Sequence, residues 1–85
     1  MPRWEFDEGG LTTKQRRALT VLSNAGEPLN ARELGRRLRV RSSVAASRMW
    51  QLQRRGLVGN TWDHRPGSHW YVMDAGRSAL AKQEE

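Results

Sequence analysis

The chain is 85 residues long, 36% hydrophobic and 28% charged, with 15 lysines and arginines against 9 aspartates and glutamates for a net charge of +6. A chain of this size makes one small domain that buries only about 60% of its unfolded surface, and its composition fits a globular fold better than disorder. The absence of cysteine excludes a disulfide framework, a thiolate zinc site and a cysteine nucleophile. No apolar run approaches the roughly 18 residues of a membrane-spanning helix and no signal-peptide pattern is present, so no membrane partner and a cytoplasmic location are expected.

Residues 1–10 read as an arm in which Trp4 and Phe6 alternate with charges before Gly9-Gly10. Leu11-Thr12-Thr13-Lys14-Gln15 reads as a helix start, with Thr12 as N-cap, Gln15 completing a capping box and Leu11 as the apolar residue ahead of the cap. Ala18, Leu19, Leu22 and Ala25 follow at helical spacing, and Gly26 with Pro28 beyond it ends the helix. Asn30 caps a second helix, roughly residues 31–38, with Glu33 at the capping-box position and Leu34 and Leu38 one turn apart. Its outer face carries Arg32, Arg36 and Arg37.

A third helix, about 42–55, follows Arg41 with Ser42 as its expected cap and Gly56 as its stop. Two helices joined by a short turn, the second longer, have the shape of a helix-turn-helix. Beyond Gly56 the period changes. Leu57, Val58, Thr61 and Trp62 favour strand, residues 63–68 are a turn cluster, and His69 to Met73 favour strand again, which makes a two-stranded hairpin with a basic tip. Asp74 is placed to cap a short last helix before a polar tail at 83–85.

The positive charge belongs to the middle of the chain. Residues 11–56 carry a net +9, while the segments before and after carry −2 and −1. Ten of the eleven cations in that middle segment are arginine, the better phosphate-binding residue, so the field points toward polyanions; a solvated arginine-rich surface is the plainer alternative. Stepping the third helix at about 100° per residue puts Ala45, Arg48, Met49 and Leu52 on the buried side. Ser43, Ser47, Trp50 and Arg54 fall opposite, flanked by Ala46 and Gln51. Small side chains let a helix enter the major groove closely, serines can bond phosphates or base edges, and methyl groups can meet thymine.

Two residues on this helix leave alternatives open. Arg48 lies near the core side by angle, and either snorkels past Leu52 or reaches nucleic acid from the helix edge. Trp50 faces outward, and packing within the domain, contact with nucleic acid and a dimer interface are all open to it. For catalysis the sequence offers Asp63, His64 and His69 in or beside the hairpin tip, which read as solvated loop residues rather than metal ligands. With no nucleophile–base pair, glycine-rich phosphate loop or paired carboxylate, neither an enzyme nor a cofactor is expected.

Together these elements resemble the winged helix-turn-helix domain, most closely the MarR-like branch of bacterial regulators. Three segments carry the likeness: Pro28 to Leu38 resembles the family's second helix; Ser42 to Leu52, closing in Gln53-Arg54-Arg55-Gly56-Leu57-Val58, its recognition helix and the turn into the wing; and Trp70 to Leu80 the last wing strand and the helix after it. The resemblance covers about residues 11–82 and implies an α+β fold of three helices, a two-stranded β-hairpin wing and a short C-terminal helix. It implies a sequence-specific double-stranded-DNA-binding protein, a small transcriptional regulator, with the third helix in the major groove. By position, Arg41, Ser42, Ser43, Ser47 and Gln51 become groove and phosphate contacts, joined by Arg48 and Arg54 from the helix face.

Carried over in the same way, Arg65 with His64 and Ser68 becomes the wing contact to the minor groove or its phosphates, and Arg16, Arg17, Arg36 and Arg37 become backbone contacts. A homodimer would use the N-terminal arm, with Trp4 and Phe6, or the terminal helices. Full-length relatives dimerise and form an effector pocket with longer terminal helices, so no small-molecule effector is expected at this length. A Z-DNA-binding subclass of winged helices uses an Asn and a Tyr on the third helix and a wing Trp; Trp50 and Trp70 stand at matching places, but Ala46 replaces the Asn and sets that reading aside. The alternative from another class is a winged-helix adaptor that binds another protein, since a fold does not determine a function.

Overall fold

The computed structural model describes residues 10–61 and 69–84, so Trp4, Phe6, His64, Arg65 and Ser68 lie outside the described residues. Local signals place the first helix. The Thr12 hydroxyl accepts from the Gln15 backbone N–H at 3.1 Å and the Gln15 side chain accepts from the Thr12 N–H at 3.2 Å, a closed capping box that starts α1, Thr13–Ala25. Gly26 ends it at φ 71°, the left-handed conformation that glycine adopts without a Cβ penalty. Leu11, just ahead of the cap, is buried in the core.

The Asn30 side chain accepts from the Glu33 N–H at 2.8 Å and begins α2, Ala31–Leu38. The Glu33 carboxylate meets Arg37 at 3.3 Å and Arg36 at 3.8 Å. A tight turn through Arg39, which adopts φ 60°, leads into α3, Ser42–Arg54. The turn closes onto Gly35: a Cβ there would stand 2.8 Å from the Val40 carbonyl oxygen and 3.2 Å from the Ser42 nitrogen. The start of α3 is therefore set by how the turn packs. Arg41 occupies the N-cap position with no side-chain cap bond, and Ser42, the expected cap, is the first helical residue. At the other end Gly56 donates to the Gln53 carbonyl at 2.9 Å and Leu57 to that of Leu52 at 3.0 Å, a Schellman closure with Gly56 at φ 76°.

The sheet has three strands where two were expected. β1, Leu29–Asn30, pairs antiparallel with β3, His69–Val72, which pairs on its other side with β2, Val58–Asn60, in the order β1-β3-β2. Leu29 stands opposite Trp70, and Val58 opposite Val72. Thr61 extends the ladder by donating its N–H to the His69 carbonyl at 2.8 Å. A two-residue strand is too short to leave a periodic signal, which is why β1 escapes the sequence reading. α4, Asp74–Glu84, follows. Its first intrahelical acceptor is the Met73 carbonyl, so Met73 rather than Asp74 takes the capping position, and the backbone expected as a polar tail at 83–85 is helical through Glu84.

Helices α1, α2 and α3 converge on one core. α1 contributes Ala18, Leu19 and Leu22, α2 contributes Leu34 and Leu38, and α3 contributes Ala45, Met49 and Leu52. Trp70 reaches this core from β3, and Leu57, Val58 and Ala79 close it. The side chains that form the buried core are apolar, so burial of apolar surface holds the fold together. In an exposed helix Gly→Ala stabilises by about 1 kcal/mol; at Gly35 the turn forbids it. Gly35→Ala is expected to destabilise the protein by about 1–3 kcal/mol through overpacking, measured by chemical denaturation, and a gain in stability would contradict the close packing.

Candidate nucleic-acid interface

With Ala45, Met49 and Leu52 turned inward, α3 exposes Ser43, Ser47, Trp50, Gln51 and Arg54, as the angular reading anticipates. The structure divides this face into two flanks. On one side a cleft of about 660 Å³ separates α3 from the start of α1, lined by Ser43, Val44, Ser47, Arg48, Gln51 and Arg55 from the α3 side and by Thr12, Lys14 and Gln15. On the other, a hollow of about 410 Å³ lies between α3 and the start of α2, lined by Ser42, Ala46 and Trp50 with Asn30, Ala31, Arg32 and Trp70. Ser42 and Ser43, adjacent in sequence, thus open onto different surfaces.

Arg48 resolves to the helix edge. It is half-buried and lines the cleft, so its position places the guanidinium stem beside the polar strip rather than in the core. Trp50 packs edge-on against Trp70, with ring centroids 4.9 Å apart at 87°. That arrangement puts the positive edge of one indole on the negative face of the other.

The arginines serve different purposes. Arg55 donates to the Gln15 side-chain oxygen at 3.0 Å, tying the end of α3 to the cap of α1 across 40 residues of sequence. Arg16 donates to the Ala79 carbonyl at 3.0 Å and the Leu80 carbonyl at 3.2 Å, binding α1 to α4. Arg16, expected as a nucleic-acid backbone contact, has two of its donors engaged with main-chain oxygens of the last helix. Arg36 and Arg37 are exposed on α2 beside Glu33, Arg17 is exposed on α1, and Arg41 and Arg54 are exposed at the two ends of α3.

Lys14 and Arg55 belong to the cleft but escape the sequence reading as site residues. Lys14 is counted there only as charge. Its position two residues after the Thr12 cap, on the exposed side of the first turn, is the signal that would have found it. Among the described residues no group of three His, Cys, Asp or Glu side chains is placed to hold a metal ion, and no helix is long and apolar enough to cross a membrane.

No protein-family model and no curated protein matches the sequence. Solved structures do. A MarR family transcriptional regulator from Silicibacter pomeroyi is 32% identical, with a TM-score of 0.77 over 96% of this chain and 56% of its own. A MarR family transcriptional regulator from Streptomyces coelicolor is 30% identical, with a TM-score of 0.75 over 88% of this chain and 53% of its own. The PcaV transcriptional regulator of the same organism is 26% identical, with a TM-score of 0.78 over 95% of this chain and 57% of its own. The chain therefore spans little more than half the length of these regulators. PcaV is described in complex with its natural ligand, so similarity to this group gives no ground for the expectation that small-molecule effectors play no part.

The distinct use of Arg16 is open to test. Arg16→Ala is expected to lower stability by about 1–2 kcal/mol through loss of charge-assisted bonds and to speed amide exchange in the second half of α4. An unchanged melting transition with unchanged exchange would contradict the assignment.

Proposed function

Because the chain has the winged helix-turn-helix fold of MarR-family transcriptional regulators, we propose that it is a sequence-specific double-stranded-DNA-binding protein that acts as a small cytoplasmic transcriptional regulator. One observation carries the reading: the outward face of α3 presents Ser43, Ser47 and Gln51 beside exposed cations from three helices. Ser43, Ser47 and Gln51 are short enough to let the helix backbone approach the floor of a major groove and carry groups that bond base edges. Lys14, Arg41, Arg48 and Arg54 surround them, where phosphates flank a groove-bound helix. Ser42 sits at the first turn of α3, where a phosphate meets both a hydroxyl and the helix N-terminus.

Arg17, Arg36 and Arg37 supply further backbone attraction, Arg36 and Arg37 at a discount because Glu33 already stands beside them. In this reading the 63–68 wing brings His64, Arg65 and Ser68 to the minor groove or its phosphates. Two copies joined through the arm or the terminal helices would read a palindrome with half-sites one helical turn apart. The adaptor alternative draws on one observation, the exposed pair Tyr71 and Met73 at the end of β3, which DNA on α3 would leave uncovered.

Phosphate binding releases condensed counterions, so affinity for duplex DNA must fall as salt rises. With four to six phosphate contacts the dissociation constant is expected to rise roughly 10²–10³-fold between 50 and 200 mM salt, measured by fluorescence anisotropy. Lys14→Ala and Arg41→Ala should each reduce the log–log slope by about 1. Affinity that ignores salt, or no affinity at low salt, would contradict the proposal.

A further inference from the structure

The outward surface of α3 presents exposed carbon beside its polar strip. Val44 is 38% exposed and Trp50 41%. Val44 lines the cleft on the α1 side of the polar strip, and Ala46 and Trp50 line the hollow on the other side. Trp50 is also held in place, since its indole packs edge-to-face on that of Trp70, and Trp70 is buried and paired within the sheet opposite Leu29 and Asn60. Apolar side chains presented in fixed orientations lose little conformational freedom on binding.

Duplex DNA offers one apolar group to a helix in its major groove, the C5-methyl of thymine. We propose that Val44, Ala46 and Trp50 read thymine methyl groups on either side of the Ser43–Ser47–Gln51 strip, with Trp70 as the positioning residue that aims Trp50. The inference rests on α3 being the major-groove helix and adds the chemical class of the target: thymine-rich duplex, recognised by apolar contact alongside hydrogen bonding. Adenine–thymine pairs are then distinguished from guanine–cytosine pairs by the methyl group itself, without a bidentate arginine on guanine.

Uracil lacks the methyl and keeps the Watson–Crick pair, so it isolates the contact. The full chain is titrated against an alternating adenine–thymine duplex and the same duplex with uracil in place of thymine, at one salt concentration. Each methyl buried is worth about fourfold in affinity, so uracil is expected to weaken binding roughly tenfold or more if two or three methyls are met. Val44→Ser, at an exposed position where folding is not at stake, and Trp50→Ala, checked by its melting transition, are each expected to shrink the thymine-to-uracil ratio. Trp70→Phe, which keeps an aromatic core residue but alters the edge-to-face contact, should shrink it too. Met73→Ser, at a position 41% exposed beyond β3, should leave it unchanged.

Equal affinity for the two duplexes would overturn the proposal and leave DNA binding intact. A ratio that survives both Val44→Ser and Trp50→Ala would also overturn it, because the effect would then come from duplex stiffness. Tighter binding to single-stranded oligothymidine than to either duplex would overturn it in favour of base stacking on Trp50. Absence of binding to any duplex at low salt would instead remove the function on which the inference rests.

Discussion

The turn between α2 and α3 closes on a position that must have no side chain. Where a Cβ at residue 35 would begin, the Val40 carbonyl already stands, and the chain reaches Ser42 only by passing through that space. This contact brings α3 across α1 and α2 with Ala45, Met49 and Leu52 directed into the core. The outward direction of Ser43, Ser47 and Trp50 follows, because one helix has one rotation about its axis and the buried stripe sets it. The wing depends on the same placement: the Schellman closure at Gly56 hands the chain from α3 into β2, and β3 returns Trp70 beneath Trp50.

The charge of the middle segment is divided among tasks that composition cannot separate. Arg16 and Arg55 work within the fold, one holding α4 to α1 and the other bridging the end of α3 to the capping box of α1. Arg36 and Arg37 stand beside Glu33 in exposed pairs of the kind that contribute little to stability. The cations with every donor open to a ligand are therefore fewer than the eleven of residues 11–56. Lys14, Arg48 and Arg55 stand together along the cleft that holds Ser43 and Ser47 of α3.

What could be read from the residues alone was governed by the range of the interactions involved. Caps are contacts within three or four residues, so the Thr12–Gln15 box, the Asn30 cap and the glycine stops are legible and the structure has them. The buried stripe of α3 is legible for the same reason. β1 is formed by pairing with a strand some forty residues away, and its two residues leave no periodic signal in the sequence. Ser42 stands one residue inside the helix rather than at its cap, because cap preference is weaker than the packing of the turn. The partner of Trp50 and the carbonyls bound by Arg16 are set by tertiary geometry alone, so composition could name the residues without assigning their work.

The central claim is that DNA sits on α3 and the cleft beside it. Backbone amide shifts followed by NMR while duplex DNA is added test this most directly. The account predicts perturbations concentrated at Lys14, Ser43, Ser47, Gln51 and Arg54, with Tyr71, Met73 and the exposed face of α4 left near their starting positions. Perturbations clustered at Tyr71 and Met73, with α3 undisturbed, would contradict it.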